Sequence, residues 1–242
     1  MINIKRTTQI PSSLQSPDIQ QYLDDIAAYK QNSSLPKPEP PASYRSSDVL
    51  EAFDECFYGK CYLTEEKFAN SWIMDIDHFI PKNERPDLRY EWSNLYPCEH
   101  HANMARPRKT PAGGYLDPCQ DDVEKEILYY LPIGAERPQF EAADPTNIKA
   151  VNSAQLLDLL HNGKDKDSIE RTKHLRFLIR KKYDEVLHAI IAWKDAKAKG
   201  DAQQEFMHRM VLKTLLSRKS FFTMLIRSMK AVQIYVPKEF LD

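Results

Sequence analysis

The 242-residue sequence predicts an α+β protein, in which a small unit of two strands and a short helix lies within a mainly α-helical chain. Residues 72–80 read WIMDIDHFI, an apolar run of strand length, and Leu95-Tyr96 follows as a second short segment across a polar loop. A short helix is expected over 99–106, before Pro107. From residue 168 onward, apolar residues recur at steps of three and four, which indicates helices.

The chain is expected to divide into three segments. Residues 1–45 would form an extended arm, a short helix capped by Ser16 or Asp18, and a tether whose four prolines exclude a helix. Residues 46–118 would hold the two strands and the short helix. Residues 119–242 would form a helical C-terminal domain.

Within that C-terminal domain the pattern predicts several elements. We expect a helical segment over 121–130, an irregular stretch to about residue 145, and a helix over Ser153–His161 that stops at the following Asn-Gly. Two long helices should follow, over 168–198 and from Asp201 to about Ile226.

Charge is distributed unevenly along a chain whose formal net charge is −1. Residues 164–230 contain 17 lysines and arginines against 8 acidic residues, whereas residues 1–163 contain 16 against 25. The basic segment indicates a surface for nucleic acid or for an acidic partner, and ordinary solvated helix faces are the alternative.

The sequence gives no sign of membrane insertion or export. No apolar run approaches the roughly 18 residues that cross a bilayer, and the first residues, MINIKR, lack the apolar segment of a secretory signal. We therefore expect a cytoplasmic protein that does not enter a membrane.

The four cysteines raise the question of a structural metal. A cytoplasmic protein is not expected to form disulfides. Cys56, Cys61, Cys98 and His101 could supply a tetrahedral Zn²⁺ site. Buried free thiols are the favoured alternative, because four residues separate the first two thiols.

One group of polar residues carries the functional hypothesis. His78 follows Asp77 in the predicted first strand, Asn94 comes sixteen residues after His78, and Asn103 comes nine residues later. These side chains could hold one divalent cation beside a base that activates water. That combination suits phosphodiester cleavage, so the hypothesis is a metal-dependent nuclease. Taken singly, each residue has an ordinary structural explanation.

A strand–loop–strand–helix unit with Asp-His on its first strand is the ββα-metal arrangement. The chain has DHFIPK at 77–82, WSNL at 92–95 and CEHHAN at 98–103, followed by Arg106 and Lys109. In these stretches it resembles the HNH endonuclease superfamily. The resemblance implies an HNH nuclease core within the mainly helical chain.

A narrower resemblance covers most of the chain. It adds LDP at 116–118, residues 152–159 and FF at 221–222, and with these the sequence is similar to the PtuB-type HNH proteins. That resemblance implies the nuclease subunit of a Septu or retron-associated anti-phage system, acting with an ATPase of the SMC/ABC type. The sequence differs from that family at Thr64 and His101, where cysteines are common.

The resemblance also implies roles for the motif residues. His78 would be the general base, since a neutral imidazole with a pKa near ~6.5 can accept a proton from water. Asp77 and Asn103 would supply hard oxygen ligands to Mg²⁺ or Mn²⁺. Asn94 would brace the loop after the first strand and hold His78 in the useful tautomer.

Basic residues near the motif are candidates for holding substrate phosphates. Arg106 lies about one helical turn after Asn103, Lys109 is close behind, and Lys82 could reach the same backbone. Simple surface solvation is the alternative. Further candidate metal ligands in this region are Asp75, His100 and His101.

Different functions remain open at this point. A nuclease would bind nucleic acid, with DNA favoured and RNA or tRNA as alternatives. The same ββα scaffold could instead be a non-catalytic module that binds nucleic acid or protein. In a third interpretation, residues 150–242 are a helical adaptor and form the main functional part.

Overall fold

The computed structural model describes residues 1–41, 43–134 and 136–242. Ala42 of the predicted arm and Ala135 of the predicted irregular stretch lie outside the described residues. Helices dominate, and the described residues also form two two-stranded antiparallel sheets. The predicted α+β class is therefore confirmed.

The described chain forms two compact units. The N-terminal unit comprises Ile4–Tyr62 and Phe68–Ala112, and the C-terminal unit comprises Met1–Asn3, Leu63–Lys67 and Gly113–Asp242. These bounds differ from the predicted segments 1–45, 46–118 and 119–242.

The first residues of the N-terminal unit are attached to the segment that contains its second strand. Arg6 donates to the carbonyl oxygen of Leu95 at 2.7 Å, and its guanidinium lies over the rings of Trp92 and Tyr96. Cation–π contacts of this kind are each worth roughly 0.5–2 kcal/mol. They fasten this segment to the second strand of the same unit.

The N-terminal unit contains the first sheet and the helices around it. Its elements are α1 (Pro17–Gln31), α2 (Ser47–Phe57), β1 (Asp75–His78), β2 (Leu95–Cys98) and α3 (His100–Ala105). The side chain of Ser16 accepts a hydrogen bond from the amide of Ile19 and caps α1, as predicted. β1 and β2 are antiparallel, with Asp77 opposite Tyr96.

Aromatic packing holds α2 against the second strand. Phe53 stacks on Trp92 with 4.9 Å between ring centroids, and Phe57 meets Tyr96 edge-on at 5.8 Å. All four side chains are buried. Such ring pairs add about 0.5–1.5 kcal/mol each beyond their area burial, so α2 gives β2 a firm support.

The C-terminal unit is mainly helical. Its elements are α4 (Val123–Glu126), β3 (Ile127–Tyr130), β4 (Gln139–Ala142), α5 (Ile148–Asn162), α6 (Lys166–Arg171), α7 (Lys173–Lys199), α8 (Ala202–Leu216), α9 (Thr223–Arg227) and α10 (Lys230–Tyr235). Helices α7 and α8 pack against each other. Five apolar residues of α7, at steps of three, four and seven, are buried, namely Leu175, Ile179, Val186, Ile190 and Trp193.

The helix predicted over 121–130 is wrong beyond its first turn. Only Val123–Glu126 is helical, and β3 follows directly and pairs with β4 in the stretch predicted to be irregular. Ile127 and Tyr129 are buried while the residues after them are exposed. This alternation of buried and exposed side chains is the two-residue period of a β-strand. A segment of four residues is too short for that period to be recognised in the sequence.

The predicted long helices are confirmed only in part. The first one is interrupted at Thr172, between α6 and α7. The second begins after Asp201, whose side chain accepts from the amide of Gln204 at 3.0 Å, but it ends at Leu216. Phe222 has φ 55°, a left-handed conformation that stops any continuous helix before α9. No helix in the described ranges is long and apolar enough to span a membrane.

His161 of α5 is a buried titratable group in the C-terminal unit. Its Nδ1 lies 2.8 Å from the carbonyl oxygen of Leu157, and its ring centroid lies 4.7 Å from that of Phe140. Burial lowers the pKa of His161 to about 4. The unfolded chain, with a pKa near ~6.5, therefore takes up this proton first as the pH falls.

We predict that this unit loses stability between pH 6.5 and about pH 4, by up to roughly 3 kcal/mol from His161 alone. The contribution is complete above pH 6.5 and disappears as the pH falls through the folded pKa. Urea unfolding at pH 7 and pH 4.5 measures it, and His161→Leu should flatten the pH dependence. His174→Leu, at an exposed position of α7, is the matched control. Equal pH dependence in wild type and His161→Leu would contradict the prediction.

Candidate active site

The candidate site lies where β1, β2 and α3 meet in the N-terminal unit. The carboxylate of Glu99 accepts from the amide of Ala102 at 3.0 Å and starts α3 directly after β2. Residues two apart on a strand share a face, so Asp75 and Asp77 lie on the same face of β1. Helix α3 contacts β1 and brings Asn103 to Asp75.

A cavity of about 220 Å³ is lined by five of the residues predicted for the nuclease site. Its wall includes Asp77, His78, Lys82, Asn103 and Arg106. The structure thus brings together residues that are up to 29 positions apart in the sequence.

Asp77 is buried, and two side chains donate hydrogen bonds to its carboxylate. Its Oδ2 accepts from the hydroxyl of Tyr62 at 2.6 Å and from Nη1 of Arg106 at 2.7 Å. Burial raises the pKa of Asp77, and the positive charge of Arg106 opposes that rise. Both donors bind Oδ2, so neither of them occupies Oδ1.

Arg106 is buried, unlike a side chain that extends into solvent to contact substrate. It is 7% exposed, and its guanidinium also donates to the carbonyl oxygens of His78 at 2.8 Å and Phe79 at 2.5 Å. These bonds join the end of α3 to the end of β1. Arg106 therefore positions Asp77 and the strand, although the sequence proposed it for phosphate binding.

His78 is held in one tautomer. Its Nε2 lies 3.0 Å from the carbonyl oxygen of Arg89. A carbonyl can only accept, so Nε2 carries the proton and Nδ1 keeps its lone pair. The ring of Tyr44 stands edge-on to the imidazole at 4.8 Å between centroids. Burial lowers the pKa of His78 to about 4, which leaves the imidazole neutral at pH 7.

Asn94 spans the loop between the two strands. Its Oδ1 accepts from the amide of Ile80 at 2.7 Å, and its Nδ2 donates to the carbonyl oxygens of Ile80 and Leu88 at 3.1 Å each. Leu88 precedes Arg89, whose carbonyl receives the proton of His78. Asn94 therefore fixes the backbone that sets the His78 tautomer.

Asn103 and Asp75 form a second polar cluster at the site. Nδ2 of Asn103 lies 2.9 Å from Oδ2 of Asp75, and Nδ1 of His100 lies 3.0 Å from the same oxygen. The amide nitrogen of Asn103 is used in this bond and its Oδ1 is not. Asp75, a secondary candidate in the sequence, is thus joined directly to the predicted ligand on α3.

The other basic residues that were predicted to bind phosphate differ in whether they line the cavity. Lys82 lines the cavity, and its partial burial lowers its pKa, as does the nearby positive charge of Arg89. Lys109 is exposed and is not part of the cavity wall, whereas Arg108 is. A lysine and an arginine therefore stand at the cavity where a phosphate could bind.

Sequence reasoning missed several residues of this site. Tyr62 binds Asp77, Tyr44 packs on His78, and the backbone carbonyl of Arg89 accepts from His78. The sequence contains no motif that marks these contacts. Arg108 could have been found, since it lies two residues after Arg106 in a basic run.

The candidate zinc ligands are not brought together as one set. The thiols of Cys61 and Cys98 are buried and 3.9 Å apart, but Cys56 accepts from the amide of Thr7 and His101 is exposed. Among the residues that the structure describes, no group of three or more His, Cys, Asp or Glu side chains could hold a metal ion. Burial also keeps the pKa of the Cys98 thiol well above its usual value.

The oxygen donors of the site do fit a hard cation by their chemistry. Two carboxylates, Asp75 and Asp77, lie on the face of β1 near the amide of Asn103. Carboxylate and amide oxygens are ligands that Mg²⁺ and Mn²⁺ prefer, and Mg²⁺ commonly keeps several waters when the protein offers few ligands.

Fold and site define an α+β protein with a polar strand–strand–helix site. The chain is 29% identical over 135 residues to Septu protein PtuB from Bacillus thuringiensis. The similarity covers 54% of this chain and 47% of that protein, so the chain spans about half the length of the curated relative it matches. No family model matches the chain, and no solved structure matches it. This distant and partial similarity relates the chain to Septu proteins.

The placement of Arg106 leads to a prediction about stability. Replacing Arg106 with alanine leaves Asp77 buried without its cation, which should cost about 3–5 kcal/mol of unfolding free energy. Arg108→Ala removes an exposed arginine two residues away and should change stability by less than about 0.5 kcal/mol. Urea unfolding of the two variants makes the comparison. If both variants are as stable as wild type, Arg106 does not hold the strand.

Proposed function

We propose that the chain is a metal-dependent endonuclease that hydrolyses phosphodiester bonds. One observation carries the proposal. His78 is a neutral histidine whose free Nδ1 is fixed by the bond of Nε2 to the carbonyl of Arg89, and it shares a cavity with Asp77 and Asn103. A base, hard oxygen donors and cationic side chains in one cavity suit water attack on a phosphate.

His78 would act as the general base. A water beside the scissile phosphate would give its proton to Nδ1 while its oxygen attacks phosphorus. The carbonyl of Arg89 would keep its bond to Nε2–H and so stabilise the imidazolium that forms. The low pKa of His78 keeps its imidazole deprotonated at neutral pH, and it also makes the imidazole a weaker base.

Asp77 and Asn103, with Asp75 beside them, would hold Mg²⁺ or Mn²⁺, which when bound neutralises the phosphate and stabilises the leaving oxygen. Arg106 and Asn94 would act by positioning the other groups. Lys82 and Arg108 would contact phosphates at the cavity, and Lys109 would contact the backbone outside it.

The similarity to Septu protein PtuB supports a biological context for this activity. We infer that the chain is a component of an anti-phage defence system and acts there as the nuclease. Its partner would be an ATPase of the SMC/ABC type. Its substrate would be nucleic acid, with DNA first and RNA or tRNA as the alternatives.

Replacing His78 tests the proposed chemistry. Wild type should nick supercoiled plasmid with Mg²⁺ and lose this activity in EDTA. His78→Ala should lower the nicking rate roughly 10²–10⁴-fold, which is the usual contribution of a general base. His188→Ala removes an exposed histidine of α7 and should retain the wild-type rate. Nicking by His78→Ala at the wild-type rate would refute the assignment.

A second candidate function is a non-catalytic binding module on the same scaffold. The ion pair between Arg106 and Asp77 favours it, because a guanidinium already neutralises the carboxylate. The same assay separates the two functions. A wild-type protein that binds plasmid or tRNA but cleaves neither with Mg²⁺ or Mn²⁺ would support the binding module and exclude the nuclease.

A further inference from the structure

A second cavity, in the C-terminal unit, has a different chemistry. It encloses about 370 Å³ and is lined by Gly134, Glu136, Arg137, Arg176, Phe177 and Arg180. We call these residues the arginine pocket. Three guanidinium groups face one carboxylate among the lining side chains, so the pocket carries excess positive charge.

Arg176 is fixed in this pocket by the protein itself. Its Nη1 donates to the carbonyl oxygen of His161 at 3.2 Å and to the hydroxyl of Thr172 at 2.5 Å, and its Nη2 donates to the carbonyl oxygen of Ile169 at 3.2 Å. Burial, with the positive charge of Arg137, lowers the pKa of Arg176, and the negative charge of Glu170 partly opposes this. Arg176 and Arg137 are therefore close enough for their charges to repel.

The other two arginines are not committed in this way. Arg137 precedes β4, and Arg180 lies one helical turn beyond Arg176 on α7, so they approach the pocket from different elements. Both side chains are exposed, whereas that of Arg176 is half-buried. A bound anion would relieve the repulsion, and arginine binds phosphate through two parallel donors.

Phe177 adds an aromatic surface to this charge. It lies next to Arg176 on α7, it lines the same pocket, and 62% of its surface is exposed. An isolated exposed phenylalanine needs no explanation, but here it stands among three arginines. Stacking of a base on an aromatic ring, beside cations that hold the backbone, is how proteins bind single-stranded nucleic acid.

We propose that the arginine pocket binds a phosphate joined to an unpaired base, as found in a single strand of nucleic acid or in a free nucleotide. The proposal rests on the proposed function for its choice of ligand, and it adds a site outside the catalytic cavity. Arg137 and Arg180 hold the phosphates, Arg176 supplies fixed charge, and Phe177 stacks on the base. A paired base is buried in its duplex and offers no face to Phe177.

Binding can be measured without cleavage. The full chain carrying His78→Ala is titrated, in EDTA, with a fluorescein-labelled oligothymidylate of about 20 nucleotides, and anisotropy is followed over a range of salt concentrations. Each lost phosphate contact lowers the slope of log K against log salt by about 0.7 for a single strand. Arg137→Gln with Arg180→Gln should therefore lower the slope by about 1.4.

Two matched variants isolate the parts of the pocket. Lys197→Gln with Lys199→Gln removes the same charge from exposed positions at the other end of α7 and should leave the slope unchanged. Phe177→Ala should weaken binding roughly 5- to 100-fold with an unchanged slope, because stacking does not depend on released counterions. Phe177→Trp should restore affinity.

Competitors identify the source of the ligand. If ATP displaces the oligonucleotide from wild type but not from Phe177→Ala, the pocket also binds a free nucleotide by the same chemistry. If ATP does not displace the oligonucleotide from wild type, the ligand is a single strand of nucleic acid. Displacement by polyglutamate as effective as by the oligonucleotide would overturn the proposal. So would an arginine variant that behaves like the lysine control. Binding without any nicking by wild type would refute the proposed nuclease and leave the pocket standing.

Discussion

The buried ion pair between Arg106 and Asp77 is the interaction on which the candidate site depends. Asp77 lies at the end of β1, and Arg106 follows α3, so their 2.7 Å bond closes the strand–strand–helix unit. The same guanidinium holds two carbonyl oxygens of the chain after Asp77. Neither charge is tolerated alone in a buried position, because desolvation costs several kcal/mol per ion. The pair therefore fixes where the strand ends and which way its polar groups face.

The fixed strand end gives His78 its chemical character. One of its nitrogens is bound to the carbonyl of Arg89, and Asn94 fastens that loop through bonds to Ile80 and Leu88. Burial against Tyr44 keeps the imidazole neutral. A solvent-exposed histidine would exchange between tautomers and charge states near neutral pH. The site therefore combines a rigid carboxylate–guanidinium pair with a base whose lone pair has one position.

The α+β class and the core face of α7 could be predicted from apolar periodicity, and the order of β1, β2 and α3 could be predicted from an apolar run, a polar loop and the helix-ending Pro107. The pairing of β3 with β4 could not, because β3 follows α4 directly and its four residues are too few to distinguish a strand from a continuing helix. The hydrogen-bond partners of Asp77 also could not be predicted from the sequence. Tyr62 and Arg106 lie 15 and 29 residues away from Asp77 along the chain. In the sequence, a basic residue after a helix is as compatible with an exposed side chain that contacts phosphate as with a buried one that pairs with Asp77. Burial, which decides between these roles, depends on the folded chain.

The most direct test is the protonation state of His78, observed by ¹⁵N NMR of the histidine side chains. We expect a neutral ring with the proton on Nε2 at pH 7, unchanged down to about pH 5. His78→Ala identifies the resonance by its loss. A His78 signal that is an imidazolium at pH 7, or that carries its proton on Nδ1, would contradict the assignment of this residue as a base.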